Sequence, residues 1–176
     1  GKILIGHAGT LDDSAKGQST IIEAAHAVAE RHPNWHFMLL GEGRDRRRFT
    51  KEIGALTNVE LVGWVDNLGD YLAAFDLFVF PSRKEALGST LLDALHAGLP
   101  IVASDVGGIP DVIEDEANGR LIDAGDAEGF VTALEGLLAD EDELAAIGAR
   151  NVEKSHEFDA THMAVAYEKL YREIAT

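Results

Sequence analysis

The alternation of apolar runs with amphipathic stretches constrains the fold of this chain most strongly. Six short segments are apolar almost throughout, and each is followed by residues whose apolar positions recur at helical spacing. A strand that is apolar on both faces belongs in a sheet that helices cover on both sides. The pattern therefore predicts an α/β fold in a single domain of residues 1–176, built on a doubly wound parallel sheet of about six strands. The predicted strands are 3–6, 36–40, 59–62, 77–80, 101–103 and 119–122, and the predicted helices are 17–31, 45–56, 68–74, 90–97, 109–114, 127–138, 141–153 and 160–174.

Charge and composition exclude several classes of partner. The formal net charge of −16 argues against nucleic acid or an anionic membrane as a partner of this domain. There is no cysteine, so disulfides and thiolate metal sites are excluded, and no spacing of His, Asp and Glu predicts a metal site. No apolar run reaches the length of a membrane span, and the N-terminus has no signal-peptide pattern. We therefore expect a cytoplasmic protein, whose first residues lie in a strand as those of an excised domain would.

Loops with glycine and polar residues follow the predicted strands. The ligand of an open parallel sheet binds at the carboxyl ends of its strands, so we expect these loops to share one rim and to form a binding site there. Glycine lets the backbone approach a ligand closely, and a lysine at a helix start can reach a phosphate. The candidate residues in the loops after the first three strands are Gly9, Thr10, Lys16, Gly41, Gly43, Arg44, Trp64 and Val65.

The segment after the fourth strand carries the most chemistry. The strand ends at Pro81, the loop contains Glu85, and residues 88–90 open a helix with Asp93 inside its first turn. Amides at a helix N-terminus bind phosphate oxygens, and free carboxylates accept hydrogen bonds from hydroxyls. A nucleotide sugar carries both groups, which makes it the predicted ligand.

This segment resembles the "E-x7-E" motif of retaining glycosyltransferases of the two-domain GT-B type, in the group called family 4. Those enzymes read P-S-x-x-E-G-F-G-x-x-x-x-E-A, followed by G-x-P-V-V-A-S and G-G-x-P-E. This chain has Pro81-Ser82, Glu85 and Gly88, then residues 98–104 and 107–111 in the same order. The resemblance extends from near residue 1 to the end of the chain. It implies a Rossmann-like fold that corresponds to the C-terminal, donor-binding half of the enzyme. The N-terminal, acceptor-binding half is absent, since the family is about twice as long.

The resemblance also implies roles for the candidate residues. Glu85 would bind the donor sugar and Lys16 the diphosphate, and these two are the predicted catalytic residues. Asp93 replaces the second Glu of the motif, which holds the ribose, and Trp64 and Val65 would contact the base. The family usually has an arginine where this chain has Thr10, and Arg44 is the predicted substitute. The amides that follow Gly88 would bind the distal phosphate, and they belong to Ser89, Thr90 and Leu91.

Several alternatives remain open at this stage. Asp93 could form a capping box with Thr90 instead of holding a ribose. Glu85 could pair with Arg83 or Lys84, and Trp64 could lie in the core or between domains. The implied partners are a nucleoside diphosphate sugar and the absent half, with no cofactor and no metal. Other functions are a GT-B nucleotide-sugar epimerase and a non-catalytic nucleotide- or sugar-binding module.

Overall fold

One parallel sheet forms the centre of the molecule. In the computed structural model, which describes residues 1–174, the sheet has six strands in the order β3-β2-β1-β4-β5-β6. Every neighbouring pair is parallel. The predicted fold class is confirmed. The strands are β1 Ile3–Ala8, β2 Trp35–Leu40, β3 Val59–Gly63, β4 Leu77–Phe80, β5 Ile101–Ser104 and β6 Arg120–Ile122. The helices are α1 Asp13–Lys16, α2 Gln18–Val28, α3 Arg46–Ile53, α4 Leu68–Ala74, α5 Ser89–His96, α6 Ala127–Leu138, α7 Glu141–Ser155 and α8 Ala160–Ile174.

Helices cover both faces of the sheet. Leu77 and Val79 of β4 face a cluster that includes α2 and α6, whereas Phe78 and Phe80 face a second cluster that includes α4 and α5. All four side chains are buried, as the absence of polar residues in this strand predicts. Each such burial contributes roughly 1.5–3 kcal/mol.

One helix prediction was wrong, and one short helical turn was not predicted. The predicted helix 109–114 is only a 3-10 turn, Ile109–Asp111. The Asn118 side chain accepts a hydrogen bond from the Glu114 amide at 2.6 Å and donates one to the Val112 carbonyl at 3.2 Å, so these groups are not available for a helix. The predicted helix 17–31 is preceded by the separate turn α1, which Asp12 caps through the Ser14 amide and which ends at Gly17.

The strand order places the carboxyl ends of β1 and β4 at the reversal point of the sheet. β1 connects to β2 on one side, and the chain returns to pair β4 on the other side of β1. The loops that leave these two strands diverge and open a crevice between them. Among the described helices, none is both long and apolar enough to cross a membrane.

Candidate functional site

A cavity of about 640 Å³ lies at this reversal point, which is a volume that suits a small-molecule ligand. It extends from the ends of β1 and β2 to the loop after β3 and the start of α5. Its lining residues are Ala8, Gly9, Thr10, Lys16, Leu40, Gly41, Glu42, Trp64, Val65, Asp66, Leu68, Glu85, Ser89 and Thr90.

An ion pair joins the two central loops. The Lys16 ammonium lies 2.5 Å from the Glu85 carboxylate, and their side chains are only 22% and 12% exposed. The Ser82 hydroxyl donates to the same carboxylate oxygen at 3.3 Å, and the ammonium lies 5.4 Å from the centre of the Phe80 ring. A fixed cation and a fixed carboxylate therefore face the cavity together. Glu85 pairs with Lys16 rather than with Arg83 or Lys84.

Backbone contacts hold the two loops against each other. The Arg83 and Lys84 amides both donate to the Ala15 carbonyl, at 2.8 and 3.1 Å. Gly17 has φ of +64°, and a Cβ at this position would lie 2.1 Å from the Pro81 carbonyl oxygen. Only glycine combines that backbone conformation with that close approach. The position of Lys16 relative to Glu85 is thus set by the backbone on both sides.

The start of α5 offers unpaired backbone donors to the cavity. Leu91 and Leu92 donate their amides to the Gly88 carbonyl, at 3.0 and 3.2 Å. The amides of Ser89 and Thr90 have no partner within the helix. No side chain caps this N-terminus and its first turn contains no acid. These two residues line the cavity, so the arrangement suits an anion.

The start of α2, at the same rim, is already occupied. The Asp13 carboxylate accepts a hydrogen bond from the Ser19 amide at 2.8 Å and another from the Ser19 hydroxyl at 3.1 Å. The Arg48 guanidinium lies 3.0 Å from Oδ2 of this carboxylate, the oxygen that also accepts the Ser19 hydroxyl. Burial alone would raise the pKa of Asp13, but the hydrogen bonds from Ser19 and Arg48 outweigh it and lower the pKa below its ordinary value.

His7 is a core residue and not a cavity ligand. It is 0% exposed, and its Nδ1 donates to the Val79 carbonyl at 3.0 Å. Its Nε2 is therefore the acceptor, and the Gln18 side-chain amide lies 3.3 Å from it. Burial lowers the pKa of His7 from 6.5 to about 4, so the ring is neutral. Gln18 also donates to the Thr10 carbonyl at 2.8 Å, which ties the cavity wall to this buried pair.

Aromatic and acidic residues line the end of the cavity near β3. Trp64 is 79% exposed, so it is neither a core residue nor packed against another element. Beside it lie Val65 and two acids that sequence analysis missed, Glu42 and Asp66. Glu42 pairs with Arg46 at 2.8 Å. Both acids are adjacent in sequence to predicted contacts, and that adjacency was the only signal for them.

The comparison with protein families identifies the chain. Residues 2–140 match the family model described as "Glycosyl transferases group 1". The chain belongs to the glycosyltransferase group 1 family.

Relatives of this group 1 chain agree with that assignment. It is 36% identical over 145 residues to the lipopolysaccharide core biosynthesis glycosyltransferase LpsE of Rhizobium meliloti, covering 81% of this chain and 40% of the relative. Its fold is similar to that of Anabaena Alr3699/HepE solved in complex with UDP, with a TM-score of 0.89 at 22% identity, covering 98% of this chain and 49% of the other. It is also similar to the C-terminal domain of the group 1 protein LpcC from Francisella tularensis, with a TM-score of 0.80 at 23% identity, covering 91% and 88%. The curated relatives are longer than this chain, which spans 40% of LpsE and 49% of a related mannosyltransferase, LpsB.

Nine of the predicted site residues of this glycosyltransferase chain line the cavity. Five do not, and two of these lie near the start of α3. The Arg44 guanidinium donates to the Asp12 carboxylate at 2.6 Å and to the Ser14 hydroxyl at 2.7 Å, so its partners in this structure lie outside the cavity lining. Gly43 packs against the Leu11 backbone.

The other three belong to α5. Gly88 is buried and is the N-cap residue that precedes the helix, and Leu91 is fully buried in the core with its amide already bonded. Asp93 lines a separate small cavity with His96 and Phe158. Burial raises the pKa of Asp93, while the nearby His96 opposes that shift. The structure therefore places Asp93 away from the central pair.

The capping box that was the alternative role for Asp93 is also absent. The helix begins one residue earlier than expected, at Ser89, so Thr90 is not at the N-cap position. Its hydroxyl donates to the Ala8 carbonyl at 3.0 Å, a bond that fastens α5 to the end of β1. Thr90 therefore positions the helix start against the cavity.

Proposed function

We propose that this chain is the donor-binding half of a two-domain, retaining glycosyltransferase of the family 4 type. It binds a nucleoside diphosphate sugar, whose sugar is transferred to a hydroxyl acceptor with retention of the anomeric configuration. The observation that carries the proposal is the Lys16–Glu85 pair, held next to the uncapped start of α5 in one cavity.

The diphosphate has a defined place in this proposal. Its distal phosphate accepts hydrogen bonds from the Ser89 and Thr90 amides, and Lys16 supplies the positive charge. Charge on the diphosphate grows as the bond to the sugar breaks, so these groups stabilise the transition state more than the bound donor. A helix N-terminus and a lysine supply the compensating charge, so we propose no metal or other cofactor.

The sugar and the base occupy opposite sides of the diphosphate. Glu85, as a carboxylate, only accepts hydrogen bonds, and sugar hydroxyls donate them. At the other end of the cavity, Val65 and the exposed indole of Trp64 offer an apolar surface for a planar base. HepE, solved with UDP, supports this choice of ligand through its similar fold.

The acceptor site belongs, in this proposal, to residues outside this chain. The curated relatives LpsE and LpsB are about twice as long as this chain or longer. We therefore propose that the chain alone binds donors and transfers no sugar, and that the intact enzyme is cytoplasmic.

Calorimetric titration of the 176-residue chain tests this assignment. The probes are UDP, UDP-glucose, GDP and GDP-mannose, and the variants are Lys16→Met and Glu85→Gln. We expect Lys16→Met to weaken both a diphosphate and its sugar conjugate, by at least about tenfold to a hundredfold, because the diphosphate is common to both. Glu85→Gln should weaken only the sugar conjugate, since Glu85 contacts the sugar.

Glu114→Gln, which changes an exposed acid outside the cavity, is the matched control and should leave all four affinities unchanged. Equal weakening of UDP and UDP-glucose by Glu85→Gln would show that Glu85 is not a sugar ligand. If the unaltered chain binds none of the four probes, the donor-binding proposal is wrong.

A further inference from the structure

The loop after β5 passes directly behind the Glu85 loop, with no side chain between them. A Cβ on Gly107 would lie 1.8 Å from the Glu85 carbonyl oxygen, and a Cβ on Gly108 would lie 1.9 Å from the Ala86 carbonyl oxygen. Both distances are far shorter than any van der Waals contact. The two backbones touch, and only glycine permits that contact.

The two glycines are constrained for different reasons. Gly107 has φ of +56°, which disfavours other residues whatever the space around it. Gly108 has φ of −89°, which any residue adopts. At Gly108, therefore, only the close approach of the Ala86 carbonyl excludes a side chain. Substitution at Gly108 tests the contact without adding backbone strain.

The opposite side of the Glu85 loop is fixed as well. The Ala15 carbonyl accepts the Arg83 and Lys84 amides, so the loop cannot move toward α1 without compressing those hydrogen bonds. A methyl group at Gly108 would have to push the loop away by about 1 Å, the scale at which misplacement of a contact group costs orders of magnitude in rate. Glu85 lies in the segment that would move.

We propose that Gly107 and Gly108 are positioning residues for Glu85. Because glycine has no side chain, the loop after β5 lies directly against the backbone of the Glu85 loop. This contact holds the Glu85 carboxylate at the position where it pairs with Lys16. The glycine pair thereby determines recognition of the donor sugar and leaves recognition of the diphosphate to Lys16 and α5. The inference rests on the proposed function, because it assigns Glu85 to the sugar.

Gly108→Ala tests the inference, with Gly136→Ala as its matched control. Gly136 lies in α6, and no atom would lie within 4 Å of its added Cβ. We expect Gly108→Ala to weaken UDP-glucose about tenfold or more in calorimetry, and to change the affinity for UDP less than twofold. Gly136→Ala should change neither affinity.

Gly107→Ala has its own control in Gly54→Ala. Both glycines have φ of +56°, but a Cβ on Gly54 would meet its nearest atom at 3.6 Å. Both alanine variants therefore strain the backbone, but only Gly107→Ala also disturbs the contact with the Glu85 loop. Gly107→Ala should reduce the preference for UDP-glucose over UDP, and Gly54→Ala should not. Ala86→Gly loosens the same segment without a clash and should act in the same direction, which keeps the test valid if the alanine variants do not fold.

A ligand-free measurement separates this inference from the proposed function. The ¹³C signal of the Glu85 side-chain carboxyl is recorded in the unliganded chain, in Gly108→Ala and in Lys16→Met, where the ion pair is removed. We expect Gly108→Ala to move the signal toward its position in Lys16→Met. An unchanged signal overturns the positioning role, and so does equal weakening of UDP and UDP-glucose. If the unaltered chain binds neither probe, the proposed function fails for uridine donors, and the carboxyl signal alone decides the positioning role.

Discussion

The two helices that begin beside the cavity, α2 and α5, start in the same way but leave different groups free. Each follows a glycine with positive φ, Gly17 and Gly88. At α2, the Asp13 carboxylate occupies the helix start through the Ser19 amide. At α5, no acid and no capping side chain occupies the N-terminus.

The difference shows that a glycine-led helix start is not by itself an anion site. At α2, an acid a few residues ahead of the helix accepts the Ser19 amide, and this bond stabilises the fold at that terminus. The amides of α5 stay available because the acid in its loop, Glu85, is instead paired with Lys16. One terminus stabilises the fold, and the other is available for a ligand.

The largest expected effect is a loss of folding stability at low pH on the α2 side of the cavity. It arises from buried His7, which contacts Gln18, the first residue of α2. Burial lowers the pKa of His7 in the folded chain to about 4, from an ordinary value of 6.5. A depressed folded pKa means that the unfolded state binds the proton first, so stability is complete above pH 6.5 and is lost as the pH falls toward 4. The expected loss from this group is about 3 kcal/mol. Urea unfolding across this pH range measures it.

His7→Asn provides the control for that measurement. Asn does not titrate, and all other groups remain, so the pH slope attributed to His7 should disappear from the variant even if its absolute stability is lower. Equal slopes in the two proteins would mean that His7 is not the titrating group.

Ser89→Asp would make α5 resemble α2 by placing a carboxylate at its start. We expect UDP affinity to fall by about tenfold to a hundredfold, or about 1.5–3 kcal/mol, because like charges repel where the phosphate binds. Stability should rise slightly, by about 0.3–1 kcal/mol. Calorimetry and urea unfolding measure the two effects, and Ser89→Asn controls for size. A variant that binds UDP as tightly as the unaltered chain would place the diphosphate elsewhere.

Asp13→Ala makes the opposite change at α2. Removing the cap from the Ser19 amide should cost about 1–2 kcal/mol of stability. UDP affinity should remain unchanged, because this terminus does not line the cavity. Glu23→Ala, which removes an exposed acid from the same helix, should change neither property. If Asp13→Ala lowers UDP affinity in a chain that is still folded, the division between the two termini is incorrect.

Trp64→Ala should produce the smallest effect and should concern the base. We expect a loss of about 1 kcal/mol in UDP binding, a factor of about five, since one aromatic contact is removed. UDP should also quench the fluorescence of the exposed Trp64, and no quenching should remain in the variant, because the other tryptophan, Trp35, is only 3% exposed. Quenching that persists in Trp64→Ala would exclude the indole as the base contact.

The sequence predicted the parts of this molecule that depend on local pattern. The all-apolar segment 77–80 identified β4, and the position of Lys16 and Glu85 after two parallel strands was sufficient to bring both to one rim. Their direct pairing was not predicted, because both were assigned to a ligand and not to each other.

Predictions failed where a distant side chain competes for a local group. Arg44 looked free beside a glycine turn, but Asp12 lies within reach only in the folded chain. Helix 109–114 ends early because Asn118 takes the Glu114 amide. Asp93 lies on the side of α5 near Phe158, a residue 65 positions later in the chain that comes close only in the folded protein. None of these partners is indicated by the local sequence pattern.

Amide NMR of the chain during a titration with UDP is the most direct test of diphosphate binding at the start of α5. The Ser89 and Thr90 amide signals should shift with UDP, and the signal of the Ser19 amide, which is already bonded to Asp13, should not. Shifts at Ser19 with no change at Ser89 and Thr90 would contradict this placement, because the diphosphate would then lie at the start of α2.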